Sequence, residues 1–485
     1  MNQLLKKFQL RNWELVSINP NNKNWSWSDY FNFWAVSVQS VIGFSLIASL
    51  YLIYDLNSIA VSVGCLFAAI LVYFLSNIIG KISQSSGLSF PVILRMSMGF
   101  NGARYVAMLR GLVGIFMFGV QTFFISKSIG YLIRMFIYET DQELFGNEIF
   151  LYFFFGMNLI DWFSLILTLL FQFYLFSKGQ EANRVFIKFS AIFVYLGLIV
   201  FLIIIVSEHS DDLINSFKLS TVSNDFVSKQ NIYPLISITG TMFTYFSMLL
   251  LSYGDFSRSA KNINEMKKGN LSLILNLIIF SFLAVLIVLG SEIILTKNAI
   301  QINSLLTNPN DIIGKIDNNY LTVVALLFIV ISSISTNLIA NYVPSQNSLI
   351  NFFPNFLNLK KSGLIIIIMG ILVGTFWLSV LSQKGVLSII DTMTAFFGPI
   401  FGVIISDYYF IKKENINHKE LFYPKETTEY IYTNGWNYKG AYSIIIGFIF
   451  SASTMWNASL TSLQSFAWLI GAFVSFILYY LINKE

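Results

Sequence analysis

Charge is scarce in this 485-residue chain: Asp, Glu, Lys and Arg make up 11% of it, against about 25% in ordinary soluble domains. So few charges would leave a soluble surface largely uncovered, and with 55% apolar residues the solvent over most of the protein is lipid. There is one cysteine, Cys65, inside an apolar run, which excludes an intramolecular disulfide. The two histidines, His209 and His418, fall in predicted loops with no chelating neighbours and read as ordinary surface residues. No CxxC pair, HExxH or GxxxxGK[ST] occurs, which argues against an ATP-driven pump on this chain. The first 22 residues lack a long apolar core and so do not read as a cleavable signal.

What is present is a series of long apolar runs. Crossing the hydrocarbon core takes about 20 such residues in a helix. Ten runs meet this requirement: Asp29–Asp55, Leu56–Lys81, Ala103–Phe136, 150–177, 186–207, Lys229–Asp255, Lys268–Glu292, 319–343, Lys361–Lys384 and 388–411. A last run, Gly440–Asn483, is too long for one span and divides at Asn457–Ser462, so twelve spans are predicted. Basic residues test the count, because cytoplasmic loops are rich in Lys and Arg. They collect before span 1 and in every second connection: Lys81, Arg95 and Arg104; Lys178, Arg184 and Lys188; Arg258, Lys261, Lys267 and Lys268; Lys360 and Lys361; Lys412, Lys413, Lys419 and Lys425. The intervening loops hold Asp141, Glu143, Glu208, Asp211 and Asp212. Both termini are therefore expected in the cytoplasm of a multi-pass plasma-membrane protein. The net charge of +5 is topology information, not a nucleic-acid footprint. The expected organisation is a segment 1–27, a ten-span core 28–411, a loop 412–438 and two added spans in 439–485, with the longest loops at 208–229 and 297–318.

Polar residues inside spans mark either helix–helix contacts or function. Four clusters occur: Ser37, Gln39, Ser40 and Gly43 in span 1; Gln121 and Thr122 in span 3; Thr239, Gly240 and Thr241 in span 6; Ser332, Ser333, Ser335, Thr336, Asn337 and Asn341 in span 8. Steps of three and four put Ser332, Ser335 and Thr336 on one face of span 8 and Asn337 and Asn341 on the next. Hydroxyl and carbonyl oxygens without a carboxylate suit a weakly held monovalent cation, and side-chain amides suit a neutral solute that donates and accepts hydrogen bonds. The bland alternative is that the hydroxyls bond back to the preceding turn and the amides hold helices together. The ionisable residues within or beside spans (Arg110, Asp161, Glu292, Asp391, Asp407) lie mostly near predicted ends, where long basic chains snorkel to the interface, so the solute is expected to be neutral. Without a nucleophile, base or metal cluster in the spans, the chain reads as a non-enzyme. A receptor that binds a metabolite without moving it is the rival outside transport, and no appended signalling domain supports it.

The segments GLSFPVILRMSMGFNGA (87–103), FGVQTF (118–123), GMNLIDW (156–162), STNLIANYVP (335–344) and GPIFGVIISDYYFIKK (398–413) together resemble the nucleobase:cation symporter-1 family. That family comprises permeases for cytosine, uracil, purines, allantoin, thiamine-type compounds and hydantoins. The resemblance implies an all-α membrane protein of leucine-transporter-like fold, two inverted five-helix repeats plus two helices, with spans 1 and 6 broken at mid-membrane. It implies a sodium site at the Ala35 and Val38 carbonyls, the Ser332 carbonyl and the Ser335 and Thr336 hydroxyls. It assigns solute contacts to Gln121 and Asn341 with Gln39 and Asn337 nearby, and an aromatic sandwich at Phe246 and Met117, the latter standing where similar members carry tryptophan. A thioether replaces only part of an indole's face contact, so stacking falls to Met117 itself or to Phe116, Phe118, Phe243 or Tyr245. The implied function is inward transport of a small neutral planar solute by alternating access, coupled to Na+. Coupling to H+ is the alternative, with Asp161 and Asp255 as available carboxylates; no other cofactor is implied.

Overall fold

The computed structural model describes residues 9–10, 12, 15–54, 58–141, 143, 152–222, 229–297, 319–376, 392, 394–425 and 427–484. Among these, helices occupy the places of all twelve predicted spans. They are α1 in two halves (Trp27–Val38 and Val41–Tyr54), α2 (Ser58–Ser86), α3 (Phe90–Thr140), α4 (Leu159–Phe176), α5 (Gln180–Val222) and α6 (Lys229–Ser252). The series continues with α7 (Ile263–Lys297), α8 (Asn319–Asn337, extended through a π turn at Leu338–Tyr342 into Val343–Phe352), α9 (Leu359–Phe376), α10 (Phe397–Ile405), α11 (Tyr438–Trp456) and α12 (Ala467–Asn483). Their faces toward lipid carry exposed Phe, Leu and Ile, as expected where the surroundings are as apolar as the core.

The packing has a five-helix period. Helices α2 and α7, α3 and α8, and α4 and α9 pack together; α1 against α7 is matched by α6 against α2, α1 against α5 by α6 against α10, and α5 against α8 by α10 against α3. A shift of five helices converts each contact into its partner, as an internal repeat requires. Helices α11 and α12 pack on each other and on α10, outside the repeat. This is the leucine-transporter-like arrangement expected from the sequence.

Several expectations are corrected. Span 3 begins at Phe90 rather than Ala103, because Asp255 Oδ1 accepts from the Phe90 N–H and Pro91 falls in the first turn, where its missing N–H costs nothing. Gly99 (φ 74°) kinks this helix, and a Cβ there would lie 2.6 Å from the Gly435 carbonyl, so only glycine admits the chain. Arg95, placed in a loop by the sequence, is consequently helical and fully buried, donating to the Leu421 carbonyl (2.8 Å) and Asn351 Oδ1 (3.3 Å). Arg110 does not snorkel either; it is buried against α8. The loop expected at 208–229 is helical to Val222, and His209 falls in that helix; His418 opens a short helix, His418–Phe422. Span 4 starts at Leu159, where Asn158 and Asp161 form a capping box. Span 8 runs on to Phe352. Asp391, the start of the tenth span, the loop at 297–318, and the side chains of His209 and Glu292 lie outside the described residues.

The most instructive correction concerns span 6. Thr239, Gly240 and Thr241 do not break it: α6 is continuous from Lys229 to Ser252. Gly240 instead admits the turn between α11 and α12, where a Cβ would lie 2.3 Å from Ser465 Cβ. Replacing Gly240 by Val should therefore destabilise the protein by about 1–3 kcal/mol through overpacking, read as a lowered melting temperature in detergent, whereas a glycine serving only as a helix interruption would tolerate the change.

Candidate functional site

The break in α1 is real. Its halves meet at Gln39–Ser40 with a 58° bend, and polar groups released there must be satisfied without water. Ser40 Oγ accepts from the Gly43 N–H (2.8 Å) as the cap of the second half. It also contacts Tyr245 Oη of α6 at 2.7 Å, and Tyr245 donates to the Ser37 carbonyl at 2.9 Å, so proton counting makes Ser40 the donor to Tyr245. The Ala35 and Val38 carbonyls accept from Gln39 N (3.1 Å) and Ser40 N (3.0 Å) at the break itself.

Helix α8 lies against the same place. Thr336 Oγ1 is 2.5 Å from the Val36 carbonyl and 3.0 Å from that of Ser332, and Ser335 Oγ donates to Ser332 at 2.8 Å. The bonding back to the preceding turn is thus present, and so is a tie from α8 to α1. The hydroxyl oxygens keep lone pairs while their protons are committed, and Ser332 Oγ is buried with no hydrogen-bond partner. Oxygen donors without a carboxylate are the chemistry that a loosely held monovalent cation requires.

One helical turn further along α8 stands a cluster of amides. The Asn341 side-chain N–H groups go to Gln121 Oε1 (3.0 Å) and Asn337 Oδ1 (2.9 Å). Gln121 Nε2 donates to the Ser333 carbonyl (3.1 Å), and Asn337 Nδ2 contacts the Phe118 carbonyl (3.3 Å), Thr122 Oγ1 (3.1 Å) and Gln172 Oε1 (2.8 Å). Gln172, on α4, closes the group by donating to Thr122 at 3.0 Å. The π turn at Leu338–Tyr342 contains Asn341, and the Ala340 carbonyl within it accepts from Arg110 Nη2 at 2.7 Å. Such widened turns are characteristic of functional positions.

The structure therefore joins Gln121, Asn337 and Asn341 by direct bonds, and ties α8 to α1 through Thr336 and the Val36 carbonyl, with Ser335 and Thr336 both bonded to the Ser332 carbonyl and the Ala35 and Val38 carbonyls bonded within α1. Phe246 is buried on the α1 side, with its ring 6.4 Å from Trp34 and 4.9 Å from Tyr245. Met117 is buried in α3. Gln39 lines a separate cleft of about 80 Å³ with Ser40, Phe44, Phe280, Phe328 and Ser332. The Tyr195 hydroxyl beside it donates to Asn276 Oδ1 at 2.5 Å. Sequence reasoning missed Trp34, Gln172 and the structural role of Tyr245; a polar residue in mid-span (Gln172) was the available signal for one of them.

A family profile described as permease for cytosine/purines, uracil, thiamine, allantoin matches residues 17–482. The chain belongs to this family of permeases. Its relatives include the allantoin permease of Bacillus subtilis (strain 168), 24% identical over 480 residues that cover 98% of this permease and 94% of the relative. The purine-uracil permease NCS1 of Arabidopsis thaliana is 26% identical over 454 residues, covering 91% and 70%. Among solved structures, the closed conformation of Mhp1, a nucleobase-cation-symport-1 family transporter with bromovinylhydantoin bound, superposes with a TM-score of 0.76 at 15% identity, covering 98% and 95% of the two chains. A Na+-coupled sialic acid symporter in a substrate-bound outward-open state gives 0.65 at 13% identity, covering 99% and 94%. At these identities the structural likeness establishes that the permease shares their fold.

The two carboxylates considered for proton coupling differ sharply. Asp161 sits at the start of α4, paired with Lys127 (3.1 Å) and Arg134 (2.9 Å). Asp255 lies in the turn between α6 and α7, its Oδ1 accepting from the Phe90 N–H at 3.0 Å and so capping α3. Burial pushes its carboxyl up to about 6, against the opposing pull of Arg258 and Arg110. A carboxyl raised in the folded state favours folding below its unfolded value and loses that contribution as pH rises through the folded one. The melting temperature should accordingly fall between about pH 4 and pH 6.5, and fall less steeply in Asp255→Asn, in which the cap is kept and the ionisation removed.

Proposed function

We propose that this permease imports a small neutral planar solute of the nucleobase, allantoin/hydantoin or thiamine-pyrimidine type across the plasma membrane, coupled to Na+ by alternating access. The observation that carries the solute class is the amide cluster of Gln121, Asn337 and Asn341. These side chains satisfy one another in the absence of a guest, and each can exchange an internal bond for one to a solute carbonyl or N–H, so binding requires no buried group to go unpaired. Its position beside the α1 break, where α8 and α1 are tied through Thr336 and Val36, supports linkage between solute and ion.

The cation in this reading is held by the Ala35, Val38 and Ser332 carbonyls with the Ser335 and Thr336 hydroxyls. An ion bridging α1 and α8 stabilises the arrangement that presents the amides, and the solute in turn raises ion affinity by the same factor. Rocking of the group α1, α2, α6 and α7 against α3, α4, α8 and α9 then exposes the site on the other side. The protein acts as a carrier, with no covalent step. The alternation of basic residues supports a cytoplasmic position for both termini. Coupling to H+ is favoured by one observation, the buried Asp255 with its raised carboxyl.

Uptake of radiolabelled uracil and allantoin into proteoliposomes at fixed pH tests this reading. Replacing choline by Na+ outside should raise uptake at least about tenfold, Asn341→Ala should reduce it by a similar factor, about one bond to a buried polar group, and Thr336→Val should raise the Na+ concentration needed for half-maximal uptake. Uptake driven by an acid-outside gradient without Na+, and lost in Asp255→Asn, would replace sodium by the proton. No uptake of any member of the solute class under either gradient would remove the transport assignment.

A further inference from the structure

The amide cluster has a direction, and backbone carbonyls set it. A side-chain amide can be turned over, exchanging its oxygen and nitrogen, so its orientation follows from its neighbours. Two of the neighbours here cannot turn. The Ser333 carbonyl accepts from Gln121 Nε2 (3.1 Å), and the Phe118 carbonyl faces Asn337 Nδ2 (3.3 Å). The first leaves Gln121 Oε1 for Asn341, which must meet it with an N–H (3.0 Å). The second leaves Asn337 Oδ1 for Asn341, which must again supply an N–H (2.9 Å). Both protons of Asn341 Nδ2 are thereby committed. Among the described residues nothing donates to Asn341 Oδ1, so before any internal bond is given up this side chain can only accept.

The Phe118 contact is the longest of the three made by Asn337 Nδ2. The shortest is to Gln172 Oε1, at 2.8 Å, with Thr122 Oγ1 at 3.1 Å. Gln172 is itself held one way round, because its Nε2 donates to Thr122 Oγ1 at 3.0 Å. Both Gln172 and Asn337 are fully buried. Turning Asn337 over would set its oxygen against the Gln172 oxygen and the Phe118 carbonyl, and inside a bundle such a mismatch is not relieved by water. Gln172 therefore supplies the closest restraint on the direction of the whole chain of amides. The residues of that chain stand on α3, α4 and α8, which move as one group in the rocking described above, so the restraint persists whichever way the site faces.

We propose that Gln172 is a positioning residue for solute recognition: acting through Asn337, it holds the Asn341 amide with Oδ1 toward the solute, so that the site selects a ring presenting an N–H there. The inference rests on the solute class proposed above and deepens it, since uracil and allantoin carry ring N–H groups. A solute without one leaves Asn341 Oδ1 unpaired, or obliges the amides behind it to turn over and lose their own partners. A site built to pair a polar group rejects the analogue that lacks it far more strongly than an apolar pocket rejects a missing methylene.

Equilibrium binding of uracil and allantoin to the full chain in lipid nanodiscs tests it, with 1,3-dimethyluracil and 1,3-dimethylhydantoin, which present carbonyls but no N–H, as competitors. Wild type should bind at least one of the two solutes, and neither competitor should displace it at about a hundredfold excess. Gln172→Leu, apolar and of similar size, should weaken binding at least about tenfold. Gln172→Glu keeps an oxygen for Asn337 in either protonation state and should stay within about threefold of wild type. A side chain that only filled space would give the opposite order, tolerating leucine and suffering from a buried carboxyl. Thr122→Val deletes the hydroxyl that receives Gln172; it should weaken binding at least about threefold, and it decides the outcome where a Gln172 variant does not fold. Displacement by either competitor, glutamate binding more weakly than leucine, or wild-type affinity in Gln172→Leu or Thr122→Val overturns the role of Gln172 and leaves the transport reading standing. Failure of wild type to bind both uracil and allantoin overturns it together with the solute class.

Discussion

A helix interrupted inside hydrocarbon exposes carbonyls and N–H groups that lipid cannot satisfy, and this constraint organises the centre of the permease. The Gln39–Ser40 break is tolerated because neighbours complete it: Ser40 caps the second half, Tyr245 from α6 reaches the Ser37 carbonyl, and Thr336 from α8 reaches that of Val36. The same groups tie α1 to α6 and α8. A polar interruption is thus a joint between helices, and anything that alters its bonding, an ion or a solute, acts on how those helices sit against one another.

The internal repeat gives this joint its context. Contacts related by a five-helix shift bring α1 and α6 together near the middle of the fold, yet the two are unequal: α1 is broken and α6 is continuous through Gly240. The asymmetry has a packing cause. Gly240 receives the Ser465 turn between α11 and α12, helices that lie outside the repeat and have no counterpart on the α1 side. Charge burial follows a similar logic. Arg95 and Arg110, deep in α3, are accommodated because carbonyls at the end of the short helix His418–Phe422 and at the π turn of α8 accept from them.

Much of this was legible in the sequence. Span positions followed from runs of apolar residues, and the hydroxyl and amide faces of α8 followed from steps of three and four. Both signals are local, set by helix geometry alone. The family resemblance reached further and gave the fold; it also singled out Gln121 and Asn341, two side chains that the structure bonds to each other. The failures were of another kind. Arg95 was read as a loop residue because charge usually ends a span, and Thr239–Gly240–Thr241 was read as a break because glycine usually marks one; in both cases a partner distant in sequence reverses the local preference.

By itself, the sequence determined that lipid is the solvent, where the helices run, and which uncharged polar side chains face inward from them, since each of these depends on composition and periodicity within one segment. Tertiary structure alone decided that Gln172 joins the amide cluster and that Tyr245 completes the α1 break. Those facts depend on which segments meet, and a hydrogen bond between residues such as Asn341 and Gln121, 220 positions apart, exists only once the whole bundle has closed around it.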